Sequence, residues 1–301
     1  MNENSAGVGE SHSNVPSFGV KTAVLAVTVV LLAAIGCGGA GPTDTREDVF
    51  GVGATPTLLV DGENGSVVIN AATGNTLLGN TITVTATLRD ANRIDYEATL
   101  DGDTVTVKAK KKGGFRLFSF GQGPAADIEV SAPPATMVEV RTSNGSIELR
   151  GIQESGSLRT SNGKIVMENV SGDFDIRTSN GSVTLTAVEG NLTVESSNGA
   201  IIVRDGKGTF DIETSNGRIE FSGELTSGGD NTMRTSNGSV TVSLQGEASV
   251  ELDASSSNGS VTSKLPILIT RTQDEKHLVG TIGNGDADLL IRTSNGSVTV
   301  Q

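Results

Sequence analysis

The heptapeptide Arg-Thr-Ser-Asn-Gly-Ser-Val occurs at 177–183, 234–240 and 292–298, and near-copies begin at 141, 159, 195, 213 and 255. The repeated asparagines are Asn144, Asn162, Asn180, Asn198, Asn216, Asn237, Asn258 and Asn295, separated by 18, 18, 18, 18, 21, 21 and 37 residues. A fixed period near twenty residues marks a repeat architecture, in which each unit buries its apolar face against the next. Around each asparagine the side chains alternate with a period of two. Ile147, Ile165 and Val183 follow it by three places, and Val140, Leu158 and Ile176 precede it by four. Two strands therefore flank each Asn-Gly, each with one apolar face.

Two all-β folds accommodate this pattern. Asn-Gly between alternating strands is a strong hairpin signal, which favours an antiparallel β-meander or sandwich. The other fold is a single-chain β-solenoid, parallel β-helix-like, with coils of about 18 residues and Asn-Gly corners. A meander needs a second layer over its apolar face, and no long amphipathic helix follows residue 56. In stacked coils, equivalent asparagines lie about 4.8 Å apart and can hydrogen-bond as a ladder. Identity then has a physical purpose, and the solenoid is the expected fold. In this reading the threonine of each corner points inward. The glycine supplies a positive φ. The 37-residue gap holds two coils, one with a degenerate corner at 272–276.

The expected organisation has four parts. Residues 1–36 are a lipoprotein-type signal peptide and 37–55 a flexible tether. Residues 56–140 are an N-terminal β region that caps the solenoid, and 141–301 are the repeat solenoid itself. After Lys21 come fifteen uncharged, mainly apolar residues, 22–36, and then Cys37. That is short for a bilayer span, which needs about 20 residues, and it suits a signal peptide. Ala34-Ile35-Gly36-Cys37 resembles a bacterial lipobox, which makes Cys37 the expected lipidation site. An uncleaved signal anchor is the alternative. Either places the rest of the chain outside the cytoplasm, anchored at the envelope. Residues 38–55 are rich in Gly, Pro and Asp, as a tether would be.

Composition removes several classes of function. A net charge of −13 argues against nucleic acid as a partner. Cys37 is the only cysteine, so no intrachain disulfide forms. The histidines are His12 and His277; with His12 in the leader one histidine remains, which nearly excludes Ser-His-Asp catalysis and rules out a multi-histidine metal site. No metal, cofactor or catalytic residue is expected.

The segment 128–148 (IEVSAPPATMVEVRTSNGSIE) has a strand, a proline bend and then strand–Asn-Gly–strand. It resembles the signature of a bacterial adhesin-type domain family of unknown function, DUF4097, and the closing segment 278–300 resembles the way that family ends. The resemblance spans residues 56–301 and implies a β-helical, envelope-associated protein.

Three surfaces are candidates for function. Arg141, Arg159 and Arg177 stand three places before their asparagines and are expected in an outward row, followed by Glu195 and Glu213. Such a row could grip an anionic polymer; a solvated face with one Arg177–Glu195 pair is the plainer reading. Lys108, Lys110, Lys111 and Lys112 precede Phe115, Phe118 and Phe120, a combination that suits a membrane surface or a long loop. Asp173, Asp175, Asp211 and Glu213 recur on adjacent strands and are residue types that a polysaccharide lyase or hydrolase uses; alternating charge on a solvent face is the plainer reading. The motif GNGDAD at 283–288 lacks the glycine-rich repeat of calcium-binding solenoids. The expected function is a non-enzymatic, adhesin-like lipoprotein that binds envelope polysaccharide or a surface protein. The alternatives are an envelope polysaccharide lyase or hydrolase and an accessory protein in envelope sensing.

Overall fold

The computed structural model describes residues 27–31, 42–72, 80–113 and 123–301, with the backbone alone at 27–31 and 270–274. Its strands in chain order are β1 (Val27–Leu31), β2 (Thr43–Gly51), β3 (Thr57–Gly62), β4 (Val67–Ala71), β5 (Thr81–Arg89), β6 (Ile94–Asp101), β7 (Thr104–Lys111) and β8 (Ala125–Ala132). Next come β9 (Met137–Arg141), β10 (Ile147–Arg150), β11 (Gly156–Thr160), β12 (Ile165–Ser171), β13 (Phe174–Thr178), β14 (Val183–Ser196), β15 (Ile201–Thr214) and β16 (Ile219–Leu225). The last are β17 (Asp230–Thr235), β18 (Val240–Leu244), β19 (Val250–Ser256), β20 (Val261–Ser263), β21 (Leu268–Asp274), β22 (His277–Ile282), β23 (Ala287–Thr293) and β24 (Val298–Val300).

All 24 strands belong to one sheet. It has two runs. The first follows β6-β7-β3-β9-β11-β13-β14-β15-β17-β23-β19-β22-β21. The second follows β1-β2-β5-β8-β4-β10-β12-β14-β15-β16-β18-β24-β20. The long strands β14 and β15 belong to both runs and join them. Apolar side chains of the two runs share one core: Leu158, Ile176 and Val194 from the first and Ile165, Val183 and Ile201 from the second are fully buried.

The expectation of a parallel β-solenoid is overturned by the pairing of the outer strands. In the middle of each run neighbours are parallel, with residues 18 apart in register, as in Ile147–Ile165–Val183–Ile201. Toward the ends they are antiparallel: β6 with β7, β22 with both β19 and β21, and β2 with β5 and β5 with β8. The architecture is an all-β domain on one large mixed sheet. It is not a consecutive antiparallel meander either. The reason is local. Outside the repeat the strands are joined by tight turns such as that at Gly102, with φ +60, and a two-strand hairpin closes there more readily than a full circuit. The segment 272–276, expected as a degenerate corner, is part of the β21–β22 hairpin.

The gap between Asn258 and Asn295 has a second surprise. The chain does not add its last strands at the end of the stack. It places β23 between β17 and β19, and β24 between β18 and β20.

The segment expected as a tether also differs. Residues 43–51 form β2, paired along nine residues with β5. Phe50 is buried there, and Asp48 is buried beneath the Tyr96 hydroxyl, which donates to it at 2.8 Å. Burial and that bond push the Tyr96 phenol above its usual range. Within the apolar leader segment, residues 27–31 pair antiparallel with β2. Cys37 and the rest of the leader lie outside the described residues.

Candidate functional site: the corner row and its groove

Each corner is built by three interlocking contacts. The asparagine amides form a chain in which every Nδ2 donates to the Oδ1 of the neighbouring layer. Asn144 donates to Asn64, Asn162 to Asn144, Asn180 to Asn162 and Asn198 to Asn180, each at 2.7 Å. Asn216 donates to Asn198 and Asn237 to Asn216 at 2.8 Å, Asn295 to Asn237 at 2.7 Å, and Asn258 to Asn295 at 2.9 Å. The order follows space rather than sequence, so Asn295 lies between Asn237 and Asn258. All the bonds run the same way, and aligned amides polarise one another.

Beneath this row sit buried hydroxyls. Thr160, Thr178, Ser196 and Thr214 donate to the carbonyls of Gly145, Gly163, Gly181 and Gly199 at 3.0 to 3.2 Å. The same hydroxyls accept the N–H of the glycine in their own corner, as Thr178 does from Gly181 at 3.2 Å. These buried hydroxyls thus find partners within the protein.

The glycines are required for a reason the sequence reading missed. At Gly163, Gly181, Gly199, Gly217 and Gly238 φ is not in the left-handed region. A Cβ there would instead fall on the carbonyl of the preceding corner glycine, far inside van der Waals contact. Close stacking excludes a side chain. Positive φ appears elsewhere, at Asn169, Ala187 and Asp205 (φ 54, 51 and 51), which mark the opposite bend of three successive layers.

Beside the corners runs an open groove of about 620 Å³. Its lining includes Arg141, Arg159, Arg177, Glu195 and Glu213 together with Ser161, Ser179, Ser197 and Ser215. Strand register sets the charged side chains in one row, Arg141–Arg159–Arg177–Glu195–Glu213. The arginines are not free cations. Arg141 pairs with Glu139 at 2.5 Å and Arg159 with Asp175 at 2.5 Å. Arg177 pairs with Asp175 at 2.7 Å and with Glu195 at 2.8 Å. The sequence reading named the Arg177–Glu195 pair but missed Glu139 and Asp175. Both stand on the outward face two places before an arginine of the row, a spacing that could have found them.

Asp175 carries most of the electrostatics here. Burial pushes its pKa up, but the hydrogen bonds from Arg177 and Arg159 outweigh it and hold the carboxyl below its usual range. A depressed folded-state pKa contributes stability above the unfolded value, about 3.9 for Asp, and that stability is lost as the pH falls through the folded value. Asp175→Asn is therefore expected to be less stable than the parent by about 1 kcal/mol at neutral pH. Urea unfolding across a pH series should show the difference closing below about pH 3.9.

The other candidates are dispersed. Asp173 accepts the backbone N–H and the side-chain amide of Asn191 at 3.0 and 2.9 Å. Asp175 and Asp211 are separated by Thr193 in register, so they stand two strands, about 10 Å, apart. A cleaving pair needs one carboxyl raised enough to donate a proton, and Asp175 is shifted the other way. In GNGDAD, Ser249 knits the turn by accepting the N–H groups of Asn284 and Asp286 at 3.0 and 3.1 Å. Among the described residues no group of three or more His, Cys, Asp or Glu is arranged to hold a metal ion, and no helix is long and apolar enough to cross a membrane. Lys110 pairs with Asp61 at 2.6 Å, while Phe115, Phe118 and Phe120 lie outside the described residues.

The family model described as Toastrack DUF4097 matches residues 57–301. No curated protein matches the chain significantly. Similar solved structures include a "putative adhesin" from Parabacteroides distasonis, 12% identical over 87% of this chain and 98% of that one, with a TM-score of 0.45. A "putative adhesin" from Bacteroides fragilis is 10% identical over 86% and 97%, with a TM-score of 0.41. A "putative cell adhesion protein" from Clostridium sporogenes is 10% identical over 85% and 98%, with a TM-score of 0.33.

Proposed function

Because the chain belongs to the Toastrack DUF4097 family, we propose that it is a non-enzymatic, adhesin-like lipoprotein of the bacterial envelope, anchored through Cys37. The sheet is a rigid scaffold, and the corner groove binds envelope polymers or surface proteins. The observation that carries this reading is the groove itself. It is open and lined by hydroxyls and by a row of charges whose arginines are internally paired. Such a surface offers many shallow polar contacts to an extended polar chain. Asp175, which pairs with two of the arginines of the row, is held below its usual range, opposite to what a proton donor needs. Residues 56–140 close one end of the scaffold in this reading, and the apolar leader followed by Cys37 supports a location outside the cytoplasm.

The test is to incubate the purified protein with isolated cell-wall and capsular polysaccharides. Both co-sedimentation and polymer length are then measured. Binding without shortening is expected. The double variant Arg159→Ala, Arg177→Ala should weaken binding by roughly tenfold, as loss of two exposed ionic contacts of about 0.7 kcal/mol each would do. Shortened polymer would overturn the non-enzymatic reading. Absence of any binding would remove glycans and leave protein partners.

A further inference from the structure

The corner groove does not carry one sign of charge along its length. In its first three layers the guanidinium groups of Arg141, Arg159 and Arg177 outnumber the carboxylates they meet there, Glu139 and Asp175. Asp61, beside Arg141, is taken up by Lys110, and Asp173 by Asn191. In the next two layers the sign reverses. The segments 191–196 and 209–214 hold Glu195, Asp211 and Glu213 and no cation. Glu195 is spent on Arg177. The carboxylates of Asp211 and Glu213 are exposed and make neither an ion pair nor a hydrogen bond among the described residues. Arg234 follows Glu213 in register on β17, but it does not pair with it and lies outside the groove lining. Arg218, past the corner, is taken up by Glu220.

Layer by layer, a serine stands two places after the charge: Ser161, Ser179, Ser197 and Ser215. The side-chain hydroxyls of these four make no hydrogen bond among the described residues. The lining consists of Arg, Glu, Ser and Thr side chains alone, so an apolar anchor finds no pocket. The strands β9, β11, β13, β14 and β15 are each paired on both sides, so no edge is open for a peptide to join as a further strand. A hydroxylated chain with charged substituents meets what the groove does offer.

Resting on the reading of the groove as a polymer site, we propose that its ligand is a zwitterionic glycan, a sugar chain that carries both acidic groups and amines. The acidic groups lie against the arginine layers and an ammonium against Asp211 and Glu213, while the serines bond the sugar hydroxyls between them. Arg159 and Glu213 are three strand spacings apart, about 14 Å, so the two kinds of charge belong to one extended chain rather than to one sugar. A polyanion would meet the free carboxylates at one end of the groove. A polycation would meet the guanidinium groups at the other. Like charges brought together oppose binding, so the groove selects against both.

The test titrates the full chain, in detergent micelles, into four fluorescently labelled oligosaccharides that share one backbone. Carboxymethyl chitosan carries amines and carboxylates, its N-acetylated form carboxylates only, chitosan amines only, and chitin oligomers neither. The pH is set where the amines are protonated and the carboxylates ionised. Anisotropy should show the zwitterion binding roughly fivefold tighter than either singly charged form, the worth of one exposed ion pair. Added salt should narrow that preference. Glu213→Gln should remove the preference over the N-acetylated form without weakening that form's own binding. Arg159→Gln should remove the preference over chitosan. Matching urea midpoints will show that both variants are folded. Equal binding of all four, tightest binding of a singly charged form, or a preference that neither substitution alters would each overturn the zwitterionic ligand while leaving the groove a polymer site. So would binding of isolated wall polysaccharide by a protein that takes none of the four. Binding of neither the four nor any wall polysaccharide would instead overturn the polymer site itself.

Discussion

Replacing Gly181 with alanine should destabilise the protein by about 3 kcal/mol, although it adds only one methyl group. The new Cβ would fall on the carbonyl of Gly163, part of a backbone held by the Gly163 N–H bond to Thr160 and by the Thr178 hydroxyl of the next layer. It cannot swing away as a side chain would. To admit the methyl, the two layers must part, which stretches the hydroxyl bond from Thr178 to Gly163 and the amide bond from Asn180 to Asn162 together. Gly51→Ala is the control. Nothing lies within 4 Å of a Cβ built there, and the change should stay within about 0.5 kcal/mol. Urea midpoints of the two variants make the comparison. Equal midpoints would mean that the corners are looser than their stacking implies.

Deleting residues 287–301 should have the larger effect, and not at the point of deletion alone. The lost segment carries Leu289, Ile291, Val298 and Val300, all buried. At roughly 2 kcal/mol each they represent on the order of 8 kcal/mol of apolar burial, comparable with the whole stability of a domain. Because β23 and β24 lie inside the stack, their removal also strips β19 of one of its two neighbours and β20 of its partner. Amide hydrogen exchange should show residues 250–282 losing protection together, while 147–214 keep theirs. Protection retained at 250–282 would contradict the internal position of the last strands.

What was legible in the sequence and what was not divides along physical lines. The alternation of apolar residues about each Asn-Gly announces strands, since it depends on neighbours two places away. The contribution of β2 was hidden because Asp48 and Phe50 make sense only against Tyr96 and β5, distant in sequence. The groove was legible as a row of arginines but not as a neutralised one. That needs the register that sets Asp175 between Arg159 and Arg177. The antiparallel ends and the insertion of β23 between β17 and β19 were illegible. A period tells which residues could be neighbours and says nothing of the order in which layers are stacked. The corner glycines were assigned a backbone angle they do not have, because steric exclusion by another layer leaves no local mark.

The corner design also bears on chemical ageing. Asparagine followed by glycine is the pair most open to deamidation: the glycine nitrogen attacks the side-chain carbonyl carbon, a ring closes and ammonia leaves. Asparagine is accordingly counted among the thermolabile residues. Here the nitrogens after Asn162, Asn180, Asn198, Asn216, Asn237 and Asn258 are engaged by the hydroxyls of Thr160, Thr178, Ser196, Thr214, Thr235 and Ser256. The amides under attack are held in the row. After Asn64, Asn144 and Asn295 no such hydroxyl contact forms among the described residues. A fold that repeats its most perishable dipeptide along one edge therefore shields the middle of that edge, and its hydrolytic clock runs fastest near the two ends.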